Sequence, residues 1–342
     1  MDSVTQAALG AVVAGAVAGK QCNAKVLLAG AALGTLPDLD VVLSYGDPVT
    51  DMVKHRGFSH SLLILFPLSL LLAKLCHLWL TPSWSFKKLL VLISAVLITH
   101  PLLDAFTTYG TQLLWPFEIY FAVSSIFIID PLYTLPLLLV ILMALWQRDK
   151  AASRCRAGLV VTTLYLAWSI IAMGMIESRT RDSLVELGYE RDQPLFLTPT
   201  PFNTVLWRIV VLDDEQYLEG LASLLDSDPK VDFLVRERGS WPFAHQPDVL
   251  QAQLKFAGDY VRYQVDEERV VVADLRMGIA DFLSFQFQYA TMDDLERWQQ
   301  HTPFALNGLD GAELYLPKLL LRLMGDQSLD ADLCRNCNAT ES

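Results

Sequence analysis

Histidine and aspartate side chains recur in three short motifs near the start of the chain. The motifs read "LPDLD", "VKHRGFSHS" and "THPLLDAFTTYG". They supply six candidate metal ligands, Asp38, Asp40, His55, His60, His100 and Asp104. Imidazole and carboxylate groups together bind zinc, manganese and iron in proteins. The motifs therefore predict a site for a divalent metal ion, with zinc as the first choice and manganese or iron as alternatives.

The spacing inside the first two motifs predicts non-helical segments. Asp38 and Asp40 lie two positions apart, and in an extended segment both carboxylates would face one cation. His55 and His60 are five positions apart, which would place them on different faces of an α-helix. We expect a loop that folds both rings inwards. Each pair also has an ordinary interpretation, as a helix-ending turn or as solvated loop side chains.

The third motif and its neighbours suggest chemistry beyond metal binding. His100 and Asp104 are four positions apart, so they share one helix face, where one could bind a metal while the other orients it. Either Asp40 or Asp104 would accept a proton as general base. The guanidinium of Arg56 would hold an anionic oxygen of a substrate.

Three further polar side chains are secondary candidates for the same site, Asp2, Gln6 and Asp130. Asp130 lies in a long apolar stretch and precedes a proline, which disturbs a helix. Ionisable groups at membrane depth are costly, so each is a candidate for function. Helix capping or packing is an equal alternative for these three residues.

The three motifs lie in or beside long apolar stretches. The chain of 342 residues is 53% hydrophobic, with a mean hydropathy of +0.34. Six stretches precede residue 177, at roughly 7–19, 25–43, 61–80, 87–103, 119–146 and 158–176. Several approach the ~20 residues that a membrane helix needs. Residues 1–176 are therefore predicted to form a polytopic α-helical membrane domain with about six spans.

The second half of the chain differs in composition. Residues 1–176 carry 11 Lys and Arg against 9 Asp and Glu, whereas residues 177–342 carry 15 against 29. Alternating patterns at 260–277 and 283–289 predict strands, and the spacing at 213–226 is typical of a helix. We expect a soluble, acidic α+β domain over 177–342. Neither half offers the basic surface of a nucleic-acid-binding protein.

Small residues and cysteines add two local predictions. "GAVAG" and "GAALG", with Gly15, Gly19, Gly30 and Gly34, allow two helices to approach closely, which predicts a tight hairpin over 7–43. The pair Cys334 and Cys337 in "CRNC" supplies half a zinc site at most, so incidental or redox pairing is favoured over metal binding.

Orientation follows from the distribution of basic residues between the six predicted spans. One set of loops holds eight Lys and Arg residues and the other set holds only Lys54 and Arg56. Because cytoplasmic loops retain basic residues, the first set is assigned to the cytoplasm. All three motifs, and everything after residue 177, are then expected on the outer face.

Four segments in fixed order carry a resemblance to a known family. They read "MDSVTQAALGA", "GTLPDLD", "HRGFSHS" and "THPLLDAFTTYGTQLLWPF". They resemble the bacterial membrane-bound metal-dependent hydrolases, the YdjM/YfhP-like proteins. The resemblance implies a multi-pass protein of the bacterial inner membrane, with a divalent metal site built from the same six His and Asp residues. Many relatives have a histidine where this chain has Gln6.

These observations lead to one functional hypothesis and two alternatives. The hypothesis is metal-dependent hydrolysis at the outer surface of the inner membrane, with membrane lipids as partners and a phosphoester of a lipid or lipid-linked molecule as substrate. One alternative is a transporter, in which prolines and aspartates mark broken helices around a binding site. The other is a non-catalytic scaffold in which the metal fastens membrane segments together.

Overall fold

The fold is taken from a computed structural model, which describes residues 1–79, 84–308, 310 and 312–335. The chain divides into two compact units. The first unit comprises Met1–Leu43, His55–Ile170 and Pro201–Asn203. The second comprises Ser44–Lys54, Ile171–Thr200 and Thr204–Ser342.

Helices account for most of the first half of the chain. Within the described ranges, the α-helices are α1 (Ser3–Ala18), α2 (Ala24–Thr35), α3 (Pro48–Lys54), α4 (Leu62–Trp79), α5 (Phe86–Asp104), α6 (Pro131–Trp146), α7 (Ala151–Glu186), α8 (Asp248–Ala257) and α9 (Leu316–Leu323). Two 3-10 helices, Pro37–Val42 and Phe58–His60, precede α3 and α4 respectively.

Helix α1 forms the centre of the first unit. It packs against α2, α5 and α6, and α4 packs against α5. Its side chains Leu9, Val12, Val13 and Ala14 are buried. The carboxylate of Asp2 caps its first turn by accepting from the amides of Val4 and Thr5. A helix that is buried on most sides needs no polar face, which explains why its sequence is apolar after Gln6.

Three helical segments are long and apolar enough to cross a membrane, Leu62–Trp79, Phe86–Asp104 and Arg148–Glu186. The predicted count of six spans is not reproduced. Helix α2 ends after 12 residues, before the 3-10 helix that begins at Pro37. Helix α6 begins only at Pro131, so the first part of the stretch 119–146 is irregular. Helix α1 has 16 residues.

The hairpin of α1 and α2 is close-packed, as the small residues predict. A Cβ atom on Gly10 would lie 2.3 Å from the carbonyl oxygen of Gly30, and one on Gly34 would lie 2.6 Å from that of Gln6. Only glycine permits this approach. The predicted Gly19 does not take part, because it ends α1 with a φ of 62° and would contact nothing.

The second unit is rich in antiparallel sheet. Its strands are β1 (Leu195–Pro199), β2 (Leu206–Asp213), β3 (Gln216–Ser223), β4 (Phe233–Glu237), β5 (Val261–Val265), β6 (Arg269–Asp274), β7 (Gly278–Ile279), β8 (Phe282–Leu283), β9 (Gln286–Met292) and β10 (Trp298–Leu306). They form sheets of order β1-β2-β3-β4 and β10-β9-β6-β5, with β7 and β8 as a separate pair.

The two strands predicted over 260–277 are confirmed as β5 and β6, and most of 283–289 lies in β9. The predicted helix over 213–226 is wrong, because this segment forms β3. Strand β3 pairs on both sides, with β2 and β4, and its residues from Tyr217 onwards are buried. Pairing and burial in the sheet outweigh the local helical pattern.

Candidate metal centre

Three segments of the first unit bring four of the predicted ligands together. His100 and Asp104 lie in the last turn of α5, on one face of the helix. His60 ends the 3-10 helix Phe58–His60, immediately before α4. Asp38 lies in the 3-10 helix Pro37–Val42, which follows α2. One ligand atom from each residue lies within 4.8 Å of the others, so the group could hold a metal ion.

The donor atoms of the cluster lie close to one another. The two Nε2 atoms of His60 and His100 are 3.1 Å apart. Oδ1 of Asp38 lies 3.4 Å from the first and 3.3 Å from the second. Oδ2 of Asp104 lies 3.2 Å and 3.3 Å from the same two atoms. Five of the six edges of this tetrahedron therefore fall within a narrow range.

The hydrogen bonds of the two imidazoles direct their Nε2 atoms into the cluster. Nδ1 of His100 lies 2.6 Å from the carbonyl oxygen of Gly34, to which it donates. Nδ1 of His60 lies 2.9 Å from Oγ of Ser59. A hydrogen bond at one ring nitrogen fixes the tautomer that leaves the other nitrogen for a metal. The close α1–α2 packing at Gly34 thus also positions a ligand.

The carboxylate of Asp104 tests whether the cluster fits a cation. Its Oδ2 atom is buried and has no hydrogen-bond donor, although an unpaired buried carboxylate oxygen is costly. Its Oδ1 atom accepts from Nε2 of Gln6 at 3.0 Å and lies 3.5 Å from Nη2 of Arg56, and the amino group of Met1 also contacts it. A cation at the centre of the cluster would satisfy the free oxygen, so the residues fit a metal ion.

Burial opposes ionisation of Asp38, but the neighbouring imidazoles of His100 and His60 outweigh it and hold the pKa of Asp38 below its ordinary value. The residue is therefore a carboxylate at neutral pH, as a metal ligand must be. It is also the accessible member of the group. Its side chain is 17% exposed, whereas those of His60, His100 and Asp104 are almost fully buried. The cluster is therefore accessible to solvent on the Asp38 side.

Asp40 and His55 form a pair beside the four-residue cluster. Oδ1 of Asp40 lies 2.9 Å from Nδ1 of His55, and Oδ2 accepts from Oγ of Ser59 at 2.5 Å and from the amide of Arg56 at 3.0 Å. Burial raises the pKa of Asp40, but the hydrogen bonds from His55 and Ser59 dominate and lower it. The side chain of His55 is 25% exposed, and its ring lies 6.0 Å from that of His60.

The local backbone explains why Asp38 and Asp40 separate. The expected extended conformation is wrong, because both residues lie in a 3-10 helix. At three residues per turn, side chains two positions apart point in different directions. Asp38 therefore faces the cluster and Asp40 faces the His55 loop.

The side chain of Arg56 is buried beside Asp104 of the cluster. Its Nη1 atom donates to Oγ1 of Thr107 at 3.3 Å, and its guanidinium lies over the ring of Tyr109 at 5.0 Å. The side chain is only 4% exposed. Its positive charge therefore acts on the centre mainly through Asp104.

The secondary candidates divide into two kinds. Gln6 contacts Asp104 directly. Asp2 caps α1. Asp130 caps α6 and accepts a hydrogen bond from the hydroxyl of Tyr165 at 2.8 Å, so it has a structural role in the first unit. Of the cysteine pair, Cys337 lies outside the described residues.

The amino group of Met1, which contacts Asp104, and a backbone carbonyl group were not predicted from the sequence as contributors to the centre. The carbonyl group of Gly34 orients His100, yet a backbone acceptor leaves no mark of its own in a sequence. The small-residue repeat around Gly34 is the only signal that could have indicated it.

Comparison with known proteins shows which family the chain belongs to. The YdjM inner membrane protein family matches residues 1–176, which contain all four clustered ligands. The chain is 26% identical to the uncharacterized protein YfhP of Bacillus subtilis (strain 168) over 249 residues, covering 70% of this chain and 72% of that protein. It is 32% identical to the inner membrane protein YbcI of Escherichia coli (strain K12) over 146 residues, covering 39% and 81% respectively. No solved structure matches the chain. Since the match extends over half of the chain and the apolar helices agree with an inner-membrane location, the chain belongs to the YdjM inner membrane protein family.

Proposed function

We propose that this protein is a metal-dependent hydrolase of the inner membrane, with zinc as its metal and a phosphoester of a lipid or lipid-linked molecule as its substrate. The observation that carries the proposal is the convergence of two imidazole nitrogens and two carboxylate oxygens at the ends of apolar helices. The reaction would take place at the outer face, where the basic-residue distribution assigns the three motifs.

The spacing of the donors supports zinc. With bonds of about 2.0–2.1 Å, the ligand atoms of a tetrahedral zinc ion lie about 3.3–3.4 Å from one another. Five of the six distances between the donor atoms of the cluster are 3.1–3.4 Å. Two carboxylates and two neutral imidazoles also balance the two charges of the ion, so the loaded site would be neutral. Manganese and iron commonly take more ligands and remain alternatives to be tested by metal analysis.

His55 and Asp40 are suited to proton transfer beside the centre. A zinc ion held by all four side chains would have to admit a water as a further ligand on the accessible Asp38 side. It would then supply Lewis acidity, lowering the pKa of that water towards ~7 and polarising a phosphoryl oxygen. Asp40 accepts from Nδ1 of His55, which leaves Nε2 free to take a proton from the attacking water. The water oxygen bonds to phosphorus, the bond from phosphorus to the leaving oxygen breaks, and His55 returns the proton to that oxygen.

Two of the predicted catalytic residues take positioning roles in this proposal. Asp40 orients His55 and does not itself accept the proton. Arg56 stabilises the negative charge of Asp104, from which its Nη2 atom is 3.5 Å away. Asp104 acts as a ligand.

The proposal is tested by assaying detergent-purified, zinc-loaded protein against a panel of phospholipids and lipid-linked phosphates. His60→Ala should lose both metal and turnover, whereas His55→Ala should keep the metal and lose turnover by about 100-fold, as expected for loss of a general base. His77→Ala is the matched control, because His77 contacts the carbonyl group of Trp84 and not the cluster. Inactivity of metal-loaded protein against the whole panel would contradict the proposal.

A metal-fastened scaffold is the second candidate, and one observation favours it. The ligands come from α5 and two separate 3-10 helices, and three of the four are almost fully buried. In a scaffold, His60→Ala would lower the melting temperature, and neither the unmodified protein nor His55→Ala would turn over any lipid. In the hydrolase, both variants stay folded and both lose turnover.

A further inference from the structure

The two 3-10 helices that carry His60 and Asp38 also present exposed apolar side chains. In Pro37–Val42, Asp38 contributes to the cluster, whereas Val41 and Val42 are 73% and 77% exposed. Leu39, between the two aspartates, is exposed as well. The same short helix thus directs its two carboxylates to the cluster and to His55 and leaves these aliphatic side chains exposed.

The second 3-10 helix repeats this arrangement. His60 is buried, while Phe58 is exposed and its ring lies edge-on to that of Trp115 at 6.3 Å. The loop that carries Trp115 is attached beside the helix, because Oγ of Ser61 donates to the carbonyl oxygen of Trp115 at 3.0 Å. Phe117, in the same loop, is exposed. We call these side chains the apolar collar: Leu39, Val41, Val42, Phe58, Trp115 and Phe117.

The position of the collar indicates what covers it. The two 3-10 helices that carry most of the collar pack against each other. Adjoining exposed apolar side chains are rare on parts of a protein that face water. Helix α4 begins at Leu62, directly after Phe58–His60, and α5 ends at Asp104, and both helices are long and apolar enough to cross a membrane. The collar therefore lies where spans meet the membrane surface. A tryptophan is typical of that level.

We propose that the apolar collar inserts into the bilayer interface and that the substrate reaches the cluster laterally, past Asp38, with its hydrocarbon chains still in the bilayer. The substrate class is thereby an amphiphile with long acyl or isoprenoid chains, not a water-soluble phosphoester. The statement about substrate rests on the proposed hydrolase function, whereas the statement about insertion does not.

Insertion is measured on the full-length protein in phosphatidylcholine nanodiscs that contain lipids with a shallow nitroxide group. An environment-sensitive fluorophore is attached to Val42→Cys and, as a matched control, to Leu295→Cys. Leu295 is 69% exposed but lies in the charged turn "DDLER". The signal of the unmodified chain, with its own cysteines, is subtracted. We expect nitroxide quenching at position 42 and none at position 295. An unquenched, water-like signal at position 42 would show that the apolar collar does not insert into the bilayer.

Lateral access is measured with Val42→Asp and the control Leu295→Asp, both loaded with zinc. The probes are dioleoyl phosphatidic acid and dioleoyl phosphatidylglycerol in nanodiscs, each beside its water-soluble dibutanoyl counterpart. We expect Val42→Asp to lower the rate on the dioleoyl probes at least tenfold relative to the soluble ones, with metal content unchanged, and Leu295→Asp to leave the ratio unchanged. An unchanged ratio in Val42→Asp, despite quenching, overturns lateral access.

Failure of the hydrolase proposal gives a different result. If no probe of either chain length turns over, hydrolysis and the substrate class are both overturned. The quenching measurement still decides whether the collar inserts, because it does not depend on activity.

Discussion

At the scale of single residues, Asp104 shows how the centre depends on the contacts of a carboxylate oxygen that does not face the cluster. One carboxylate oxygen faces the cluster, and the other is held by Gln6, Arg56 and the amino group of Met1. A ligand with one oxygen anchored in this way cannot rotate away from a metal. Residues that touch no metal should therefore influence its affinity.

Gln6 provides a test at this scale. Gln6→Ala removes the 3.0 Å hydrogen bond to Asp104 but leaves Arg56 in place. We expect zinc affinity to fall on the order of tenfold, as for other groups that orient a ligand. Competition with a chromophoric chelator measures it. The control is Gln253→Ala, which removes a buried glutamine from the second unit. Equal affinity in Gln6→Ala and the unmodified protein would refute the anchoring role.

The sequence identified the types of ligand. It could not show which of these residues form the four-residue cluster and which lie beside it. Residue type and motif order are enough to predict a His and Asp metal site, and the cluster could hold an ion. Which of Asp38 and Asp40 faces it depends on a 3-10 helix that a two-residue spacing does not specify. Likewise, the hydrogen bond between His55 and Asp40 joins two different motifs, so the spacing within either motif does not indicate it.

At the scale of elements, the α1–α2 hairpin connects packing to the site. The approach of the two helices at Gly10, Gly30 and Gly34 places the carbonyl group of Gly34 where His100 donates to it. The small-residue repeat predicted this hairpin because close approach leaves a compositional signal. The apolar stretches, by contrast, did not predict the span count correctly. Helix α1 is apolar because it is buried within the first unit.

Gly34→Ala should destabilise the first unit. The added Cβ atom would lie 2.6 Å from the carbonyl oxygen of Gln6, so the helices must separate. We expect a loss of roughly 1–3 kcal/mol in the free energy of unfolding, typical of overpacking. Gly174→Ala is the control, because nothing lies within 4 Å of its added atom and it is in α7. Thermal unfolding in detergent compares them; equal melting temperatures would contradict the packing.

A buried charge network fixes neighbouring strands of the second unit. Glu219 on β3 contacts Arg208 on β2 at 2.5 Å and Arg236 on β4 at 2.6 Å. Glu219→Gln leaves buried arginine charge uncompensated, which should cost about 3–5 kcal/mol. The control Glu237→Gln alters a more exposed carboxylate on β4. Denaturant unfolding measures both; a loss in Glu219→Gln no larger than in Glu237→Gln would show that the network is not stabilising.

At the scale of the whole molecule, the inner-membrane location is shown, while the orientation of the second half is our proposal. The proposal rests on eight basic residues in one set of loops against two in the other, counted with six spans. Among the described residues, three segments are long and apolar enough to cross a membrane, whereas that count assumed six.

Reporter fusions measure orientation in cells. Alkaline phosphatase fused after residue 180 should be active, because this enzyme folds only outside the cytoplasm, and a fusion after residue 150 should be inactive. Fusions to a reporter that works only in the cytoplasm should give the reverse pattern. A cytoplasmic reporter that is active after residue 180 would place the second half inside and move the proposed reaction to the other face.

The most direct test of the central claim is the metal content of detergent-purified protein, measured by elemental mass spectrometry. The account predicts about one zinc ion per chain, as expected for four converging ligands. His60→Ala and Asp104→Asn should lose it while remaining folded, and Asp130→Asn, which alters a buried carboxylate that caps α6, should keep it. No bound metal after loading with zinc, manganese or iron, or full metal content in both ligand variants, would contradict the account.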